Sequence, residues 1–229
     1  MVAQNVKNIN ERIASACARA KRKVDEVTLV AVSKAFGPDR VAEAAAAGVV
    51  DFGENYVQEL RAKYELLQNT QIRWHFIGHL QSNKVRVIIP WITCIHAVDS
   101  ESLGREISRQ AVRSARSVDV LIEVNTTAEQ SKYGIPPDHC RPLAEKLVLL
   151  PGIRLIGLMT IGPFLPDPEQ SRPAFRRLRE LKERLVAAGV AMRHLSMGMT
   201  NDFEVAIDEG ATMIRVGTAI FGARSAKKN

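Results

Sequence analysis

The feature that most restricts this chain is a repeated alternation. Eight short apolar runs follow one another: "VTLVAV" (27–32), "VVDFG" (49–53), "IRWHFIG" (72–78), "ITCIHAV" (92–98), "VDVLIEV" (118–124), "IRLIGLM" (153–159), "MRHLSM" (192–197) and "TMIRVG" (212–217). Runs of this length suit strands buried on both faces. The segments between them carry helix signals. Pro38 suits a first helical position, and Gly48, Gly189 and Gly210 stand where a left-handed residue ends a helix. Asp99 and Ser100 can cap a helix beginning at Glu101, and Asn201 with Glu204 three residues on has the form of a capping box. Eight strands alternating with helices is the arithmetic of a (β/α)8 TIM barrel in the α/β class. The competing architecture is an open doubly wound sheet, whose G-x-G-x-x-G turn after the first strand is absent. Residues 2–22 read as an amphipathic helix, with Val2, Val6, Ile9, Ile13 and Cys17 near helical spacing. The expected organisation is one domain over residues 1–229. An N-terminal helix (1–23) stands outside the barrel (27–222), and a basic tail (223–229) follows it.

Charge narrows the function classes. The formal net charge is +7. Residues 1–23 hold six basic side chains against Glu11, and residues 221–229 hold Arg224, Lys227 and Lys228 with no acid, so the body is close to neutral. A nucleic-acid groove would spread lysine and arginine over a face and interleave aromatics. Aromatics are 5% here, and no nucleic-acid partner is expected. No stretch approaches the roughly 20 apolar residues of a membrane span. The polar start "MVAQNVKNINER" lacks the apolar core of a secretory signal, so no membrane partner and a cytoplasmic location are expected. Cys17, Cys94 and Cys140 are odd in number and form no C-x-x-C pair. They read as small buried hydrophobes rather than a disulfide or zinc framework.

In a barrel, chemistry sits at the carboxyl ends of the strands. The first run ends in Ser33-Lys34. A lysine there either snorkels to water or, partly desolvated, becomes a neutral amine and a nucleophile. The last two runs lead into "LSMGMTND" and "RVGTAIFG". Ser196, Gly198, Gly217 and Thr218 thus offer two hydroxyls and two glycines that admit close backbone approach, the parts of a cradle for one phosphate dianion. Arg215 shares a face with Gly217 by alternation. Facing into a barrel, it needs either a strand-end acid such as Glu54 or a ligand. His75 and His79 share a face, but their stretch holds no carboxylate or third histidine at ligand spacing, so no metal is expected. Lys132 in "EQSKYGI" reads as a loop lysine in water, with a secondary-amine role at the mouth as the lesser reading. A lysine, a phosphate cradle and an arginine together suggest a phosphate-bearing aldehyde held as a Schiff base.

Seven blocks carry a resemblance: "AVSKAF", "DFGENYVQEL", "WHFIGHLQSNK", "EQSKYGI", "GLMTIG", "LSMGMTNDFEVAI" and "RVGTAIFGAR". In these, in order across roughly residues 27–224, the chain resembles the pyridoxal-phosphate homeostasis protein family. The resemblance implies a barrel similar to the barrel domain of alanine racemase. It implies pyridoxal 5′-phosphate as cofactor on Lys34. By the same resemblance Ser196, Gly198, Gly217 and Thr218 surround the phosphate, Arg215 faces the pyridine nitrogen and Asn55 belongs to the pocket. Thr200, where serine is common, and the variable stretch "TIGPF" after Met159 leave that inference standing. The implied function is buffering or delivery of the cofactor without established catalysis. The implied partners are pyridoxal phosphate and apo enzymes that use it, and a monomer is expected. The alternative is a racemase or related amino-acid enzyme acting through Lys34. A phosphosugar enzyme with a Schiff-base lysine fits the barrel but not the blocks. Racemases of the related fold take a tyrosine base from a second domain. This sequence stops soon after its last barrel block, so no such base is expected and no catalytic residue is assigned.

Overall fold

A computed structural model describes residues 1–68, 71–127, 129 and 133–223 of the chain. Lys132 and the basic tail beyond Ala223 lie outside the described residues. Eight parallel strands close into a barrel in chain order, with the last strand paired back onto the first. They are β1 (Thr28–Val32), β2 (Asp51–Glu54), β3 (Arg73–Phe76), β4 (Ile92–Val98), β5 (Val118–Glu123), β6 (Ile153–Met159), β7 (His194–Ser196) and β8 (Met213–Val216). Each matches one of the eight apolar runs, because a parallel strand covered on both faces has no polar side to show in its pattern.

The helices that cover the barrel are α2 (Pro38–Ala46), α3 (Val57–Leu66), α4 (Ser82–Ile88), α5 (Glu101–Arg113), α6 (Cys140–Leu147), α7 (Arg172–Ala187), α8 (Phe203–Asp208) and α9 (Thr218–Phe221). An added helix, α1 (Val2–Arg19), lies outside them and buries Val2, Val6, Ile9, Ile13, Ala16 and Cys17 against α2, α8 and α9. The main core fills the layer between strands and helices, where Phe52, Trp74, Phe76, Phe175 and Phe203 are fully buried. Cys17 and Cys140 are buried free thiols in this layer, and Cys94 is a buried free thiol in a separate small cluster with Ala97, Leu121 and Met159. Among the described residues, no helix is long and apolar enough to cross a membrane.

Local signals hold at several places. Pro38 opens α2, and Gly48, Gly189 and Gly210 all take positive φ after helices. Ser100 Oγ caps α5 by accepting from the Leu103 N–H at 3.3 Å. Two expectations are corrected. First, α1 stops at Arg19 rather than at residue 22, because Lys21 turns left-handed at φ 55°. The Arg22 guanidinium then reaches the carbonyls of Ile207 and Ala211. Second, Asn201 and Glu204 form no capping box. The chain turns between Met199 and Asp202, whose carboxylate accepts from the Met199 N–H at 2.6 Å, and α8 starts one residue later. Glu204 instead receives Arg12 of α1 at 2.7 Å.

Candidate functional site

The carboxyl ends of the strands surround a cavity of about 350 Å3. Of the residues singled out in the sequence, Lys34, Asn55, Arg215, Gly217 and Thr218 line it. Val32, Phe36 and Ile77 give it an apolar wall, while Thr200 and Asn201 add polar atoms at the side of Thr218. Ser196 and Gly198 lie behind that lining.

Lys34 stands two residues beyond the end of β1, after Ser33, and sits in a tight, tethered turn. Ala35, its neighbour, is left-handed at φ 68°, a conformation that costs an L-residue with a side chain about 1–2 kcal/mol. Its N–H donates to Glu59 Oε2 at 2.7 Å. Ser33 Oγ donates to Glu54 Oε1 at 2.6 Å, and Lys63 Nζ donates to the Ser33 carbonyl at 2.7 Å and to the same Glu54 oxygen at 2.5 Å. Glu54 is fully buried and Lys63 nearly so. Burial pushes the Glu54 carboxyl above its ordinary value, and Lys63 works against that rise. Two buried charges from β2 and α3 therefore hold the turn that presents Lys34 to the cavity.

Arg215 faces the cavity from β8. Its guanidinium donates to Ser196 Oγ at 2.6 Å and to the Thr160 carbonyl at 2.8 Å. It does not pair with Glu54, whose carboxylate is already engaged by Lys63. Burial lowers the Arg215 guanidinium to about 10, still a cation at neutral pH. Ser196, expected beside a phosphate, is fully buried, and its hydroxyl is shared between Arg215 and His96 Nδ1 at 2.9 Å. Its hydroxyl is therefore committed to the barrel interior. Strands β4 and β7 are not neighbours in the sheet, so this bond crosses that interior. Beyond it, His96 Nε2 lies 2.9 Å from His75 Nδ1, and His75 Nε2 lies 2.9 Å from Asp51 Oδ1. Arg73 closes the series with two bonds to the Asp51 carboxylate. Burial would raise the Asp51 carboxyl, but its bonds to His75 and Arg73 prevail and hold it below its ordinary value. Burial, then the neighbouring His75 and Arg215, keep His96 well below the usual imidazole range.

The loops after β7 and β8 meet at one corner of the cavity. Thr218 Oγ1 donates to Thr200 Oγ1 at 3.1 Å. Gly198 is left-handed at φ 90°, and a Cβ there would stand 2.6 Å from Ala206 Cβ and 2.9 Å from Phe203 Cα. Its role is to let the β7 loop fold tightly onto α8, which brings Thr200 round to Thr218. At Gly217 a Cβ would come within 3.2 Å of the Val32 carbonyl, so the missing side chain lets β8 end close to β1.

Sequence reasoning linked His75 to His79. The structure separates them. His79 is at the surface, stacked on Tyr133 with ring centroids 4.3 Å apart and 3.7 Å from the Asp99 carboxylate. The residues it missed are His96, Asp51 and Glu123. His96 and Glu123 interrupt otherwise apolar runs, and that interruption is the available signal. Glu123, the last residue of β5, is 4% exposed, and burial raises its carboxyl to about 7, against the opposing charge of Arg215.

A closed barrel with a lysine after β1 and an arginine on β8 defines a class. The family model for the alanine racemase N-terminal domain matches residues 5–225. Alanine racemase of Clostridium difficile 630 superposes with a TM-score of 0.77 at 16% identity, over 98% of this chain and 58% of the racemase, which shows the shared fold. Within this class the chain belongs to the pyridoxal phosphate homeostasis protein family. It is 44% identical to the member from Aquifex aeolicus, over 96% of this chain and 97% of that one. It is 39% identical to the member from Escherichia coli K12, over 99% and 98%. PipY of Synechococcus elongatus, solved with PLP bound, is 36% identical and superposes with a TM-score of 0.82 over 93% of this chain and all of PipY.

Proposed function

We propose that the cavity binds pyridoxal 5′-phosphate and that the chain stores the cofactor and hands it on. The observation that carries this reading is the convergence on one cavity of a half-buried lysine, a fixed guanidinium and a pair of hydroxyls. The residues fit the group. Asn55 Oδ1 is a buried polar atom with no hydrogen-bond partner among the described residues, and it needs a donor from whatever fills the cavity. The apolar wall of Val32, Phe36 and Ile77 suits the face of a flat ring, and the volume is within the usual range for small-ligand pockets, about 300–1,000 Å3. PipY, a relative of similar length, was solved with PLP in it.

In this reading Lys34 supplies the amine, Arg215 faces the pyridine nitrogen, and Thr200, Thr218 and Gly217 take the phosphate. Asn55 completes the polar wall. Ser196 acts from behind by holding Arg215, and Gly198 shapes the loop that carries Thr200. Pyridoxal phosphate, when bound, supplies an aldehyde carbon that condenses with a primary amine, a C=N bond forming as one water leaves. The family's name supports storage rather than turnover, and so does the composition of the lining. Among the described lining residues the ionisable side chains are Lys34, Asp202 and Arg215. Asp202 accepts the Met199 N–H on Oδ1 and holds the loop after β7, and in this reading Lys34 is the base. Inversion at a carbon needs a second group on the opposite face. The Arg215 cation also disfavours a proton on a pyridine nitrogen beside it. The partners in this reading are apo enzymes that use the cofactor, met in the cytosol by a monomer.

The test is spectroscopic. Added pyridoxal phosphate is expected to give a visible absorbance band that is lost in Lys34→Ala, and borohydride reduction followed by peptide mapping is expected to place the label on Lys34. Labelling of Lys132 instead, or multiple-turnover inversion of L-alanine in D2O, overturns the corresponding part of the reading.

A further inference from the structure

The interior of the barrel holds a series of polar groups that cofactor binding does not use. It runs from Arg215 through Ser196, His96 and His75 to Asp51, and it joins the cavity at the carboxyl end of the barrel to the first residue of β2 at the other end. His75, His96 and Ser196 are each 3% exposed or less. A buried polar series of this length in a barrel core needs a reason, because every member must be satisfied without water.

Its end groups fix the direction of every bond. Arg215 can only donate, so Ser196 Oγ accepts from it. The single Ser196 proton then goes to His96 Nδ1. That nitrogen is an acceptor, so His96 carries its proton on Nε2 and donates to His75 Nδ1. His75 in turn carries its proton on Nε2 and donates to the Asp51 carboxylate, which is an acceptor and receives Arg73 from the other side. The opposite polarity fails at both ends. It would give Ser196 two incoming donors and leave its own proton without an acceptor in this series, and it would aim a lone pair of neutral His75 at a carboxylate.

We propose that His96 and His75 are positioning residues that hold Arg215 in place for the cavity ligand through this one-directional series of bonds. Ser196, pinned by His96, offers Arg215 an oriented lone pair rather than a rotating hydroxyl. With the Thr160 carbonyl it fixes the plane of the guanidinium, so that the remaining N–H groups are presented to the cavity. The function is preorganisation, in which a rigid donor costs less to bind than one that must be ordered by the ligand. The role toward a ligand rests on the pyridoxal phosphate reading. The bond polarity does not, since it follows from the protein alone.

The same cluster has donor atoms close enough to suggest a metal site, but their chemistry does not suit one. One donor atom each from His75, Cys94 and His96 lie within 4.8 Å of one another. All four imidazole nitrogens, however, already have hydrogen-bond partners. Burial also holds the Cys94 thiol well above its ordinary value, which keeps it protonated where a metal ligand must be a thiolate.

The test has two arms. In ligand-free protein, nitrogen-15 NMR of the histidine side chains is expected to show both His75 and His96 as neutral rings with the proton on Nε2. A proton on Nδ1 of His96, or stoichiometric zinc retained after gel filtration and released by a chelator, overturns the proposal. In the second arm, His96→Leu is expected to weaken pyridoxal phosphate about tenfold, the loss of one hydrogen bond's worth of orientation, and to shift the absorbance maximum of the bound cofactor. His96→Gln, whose amide can accept from Ser196 and donate to His75, is expected to recover most of the affinity and the original maximum. Equal binding and an unchanged maximum in His96→Leu overturn the positioning role. If His96→Leu fails to fold, the tautomers of the unaltered protein still decide the polarity. If unaltered protein binds no pyridoxal phosphate, the cofactor reading fails, while the tautomers are read without it.

Discussion

Replacing Lys63 by methionine tests whether a buried ion pair holds the turn that carries Lys34. In the folded chain Glu54 is fully buried, and its Oε1 receives Lys63 at 2.5 Å and Ser33 at 2.6 Å. Methionine fills similar space but removes the charge and the donor to the Ser33 carbonyl. Breaking a buried pair by removing one partner costs about 3–5 kcal/mol. That cost is pH-dependent in a defined direction. Burial already raises the Glu54 carboxyl above its ordinary value, and without Lys63 it rises further. A group with a raised folded-state value binds its proton more tightly folded than unfolded. Its contribution is therefore most favourable below the unfolded value and declines as pH rises through the folded one, by about 1.4 kcal/mol per pH unit. Urea unfolding of Lys63→Met is expected to show a larger loss at pH 8 than at pH 5, because protonation of Glu54 relieves the unpaired buried charge as pH falls. Glu54→Gln added to Lys63→Met is expected to recover more than half of the loss. The site should register the same change, through slower attachment of pyridoxal phosphate to Lys34. A loss below about 1 kcal/mol at pH 8, with no dependence on pH, would show that the pair does not hold this turn.

Two further outcomes follow from the site. Burial raises Glu123 to about 7, so the fold loses stability between the ordinary carboxyl range and pH 7. Glu123→Gln is therefore expected to raise the midpoint of thermal unfolding at pH 8 and to change it little at pH 4.5. An equal shift at both values in calorimetry would exclude the titration. Thr218→Val and Thr200→Val are each expected to weaken pyridoxal phosphate about 10- to 100-fold, the range for one charge-assisted hydrogen bond, while leaving unphosphorylated pyridoxal nearly unaffected. Equal weakening of both ligands in equilibrium titrations would place the phosphate elsewhere.

The sequence by itself determined the barrel. Eight apolar runs separated by capped helical segments leave few other ways to bury every strand on both faces. It also determined which residues stand at strand ends, because the end of each run is written in the sequence, and Lys34, Gly217 and Thr218 were all legible in that way, while Asn55 came from the family resemblance. The family blocks were legible for the same reason, since they cluster at those ends. Tertiary structure alone decided which side chains meet. Ser196 looks like a ligand hydroxyl when read along "LSMGMT", yet its partner His96 is 100 residues away on a strand across the barrel. Glu54 looks available to Arg215, yet Lys63 of α3 reaches it first. Closure of the barrel joins β8 to β1 and brings the loops after β7 and β8 together at Thr200 and Thr218. Contacts of this kind depend on the radius and stagger of a closed sheet, and the period of a hydrophobic pattern carries no information about either.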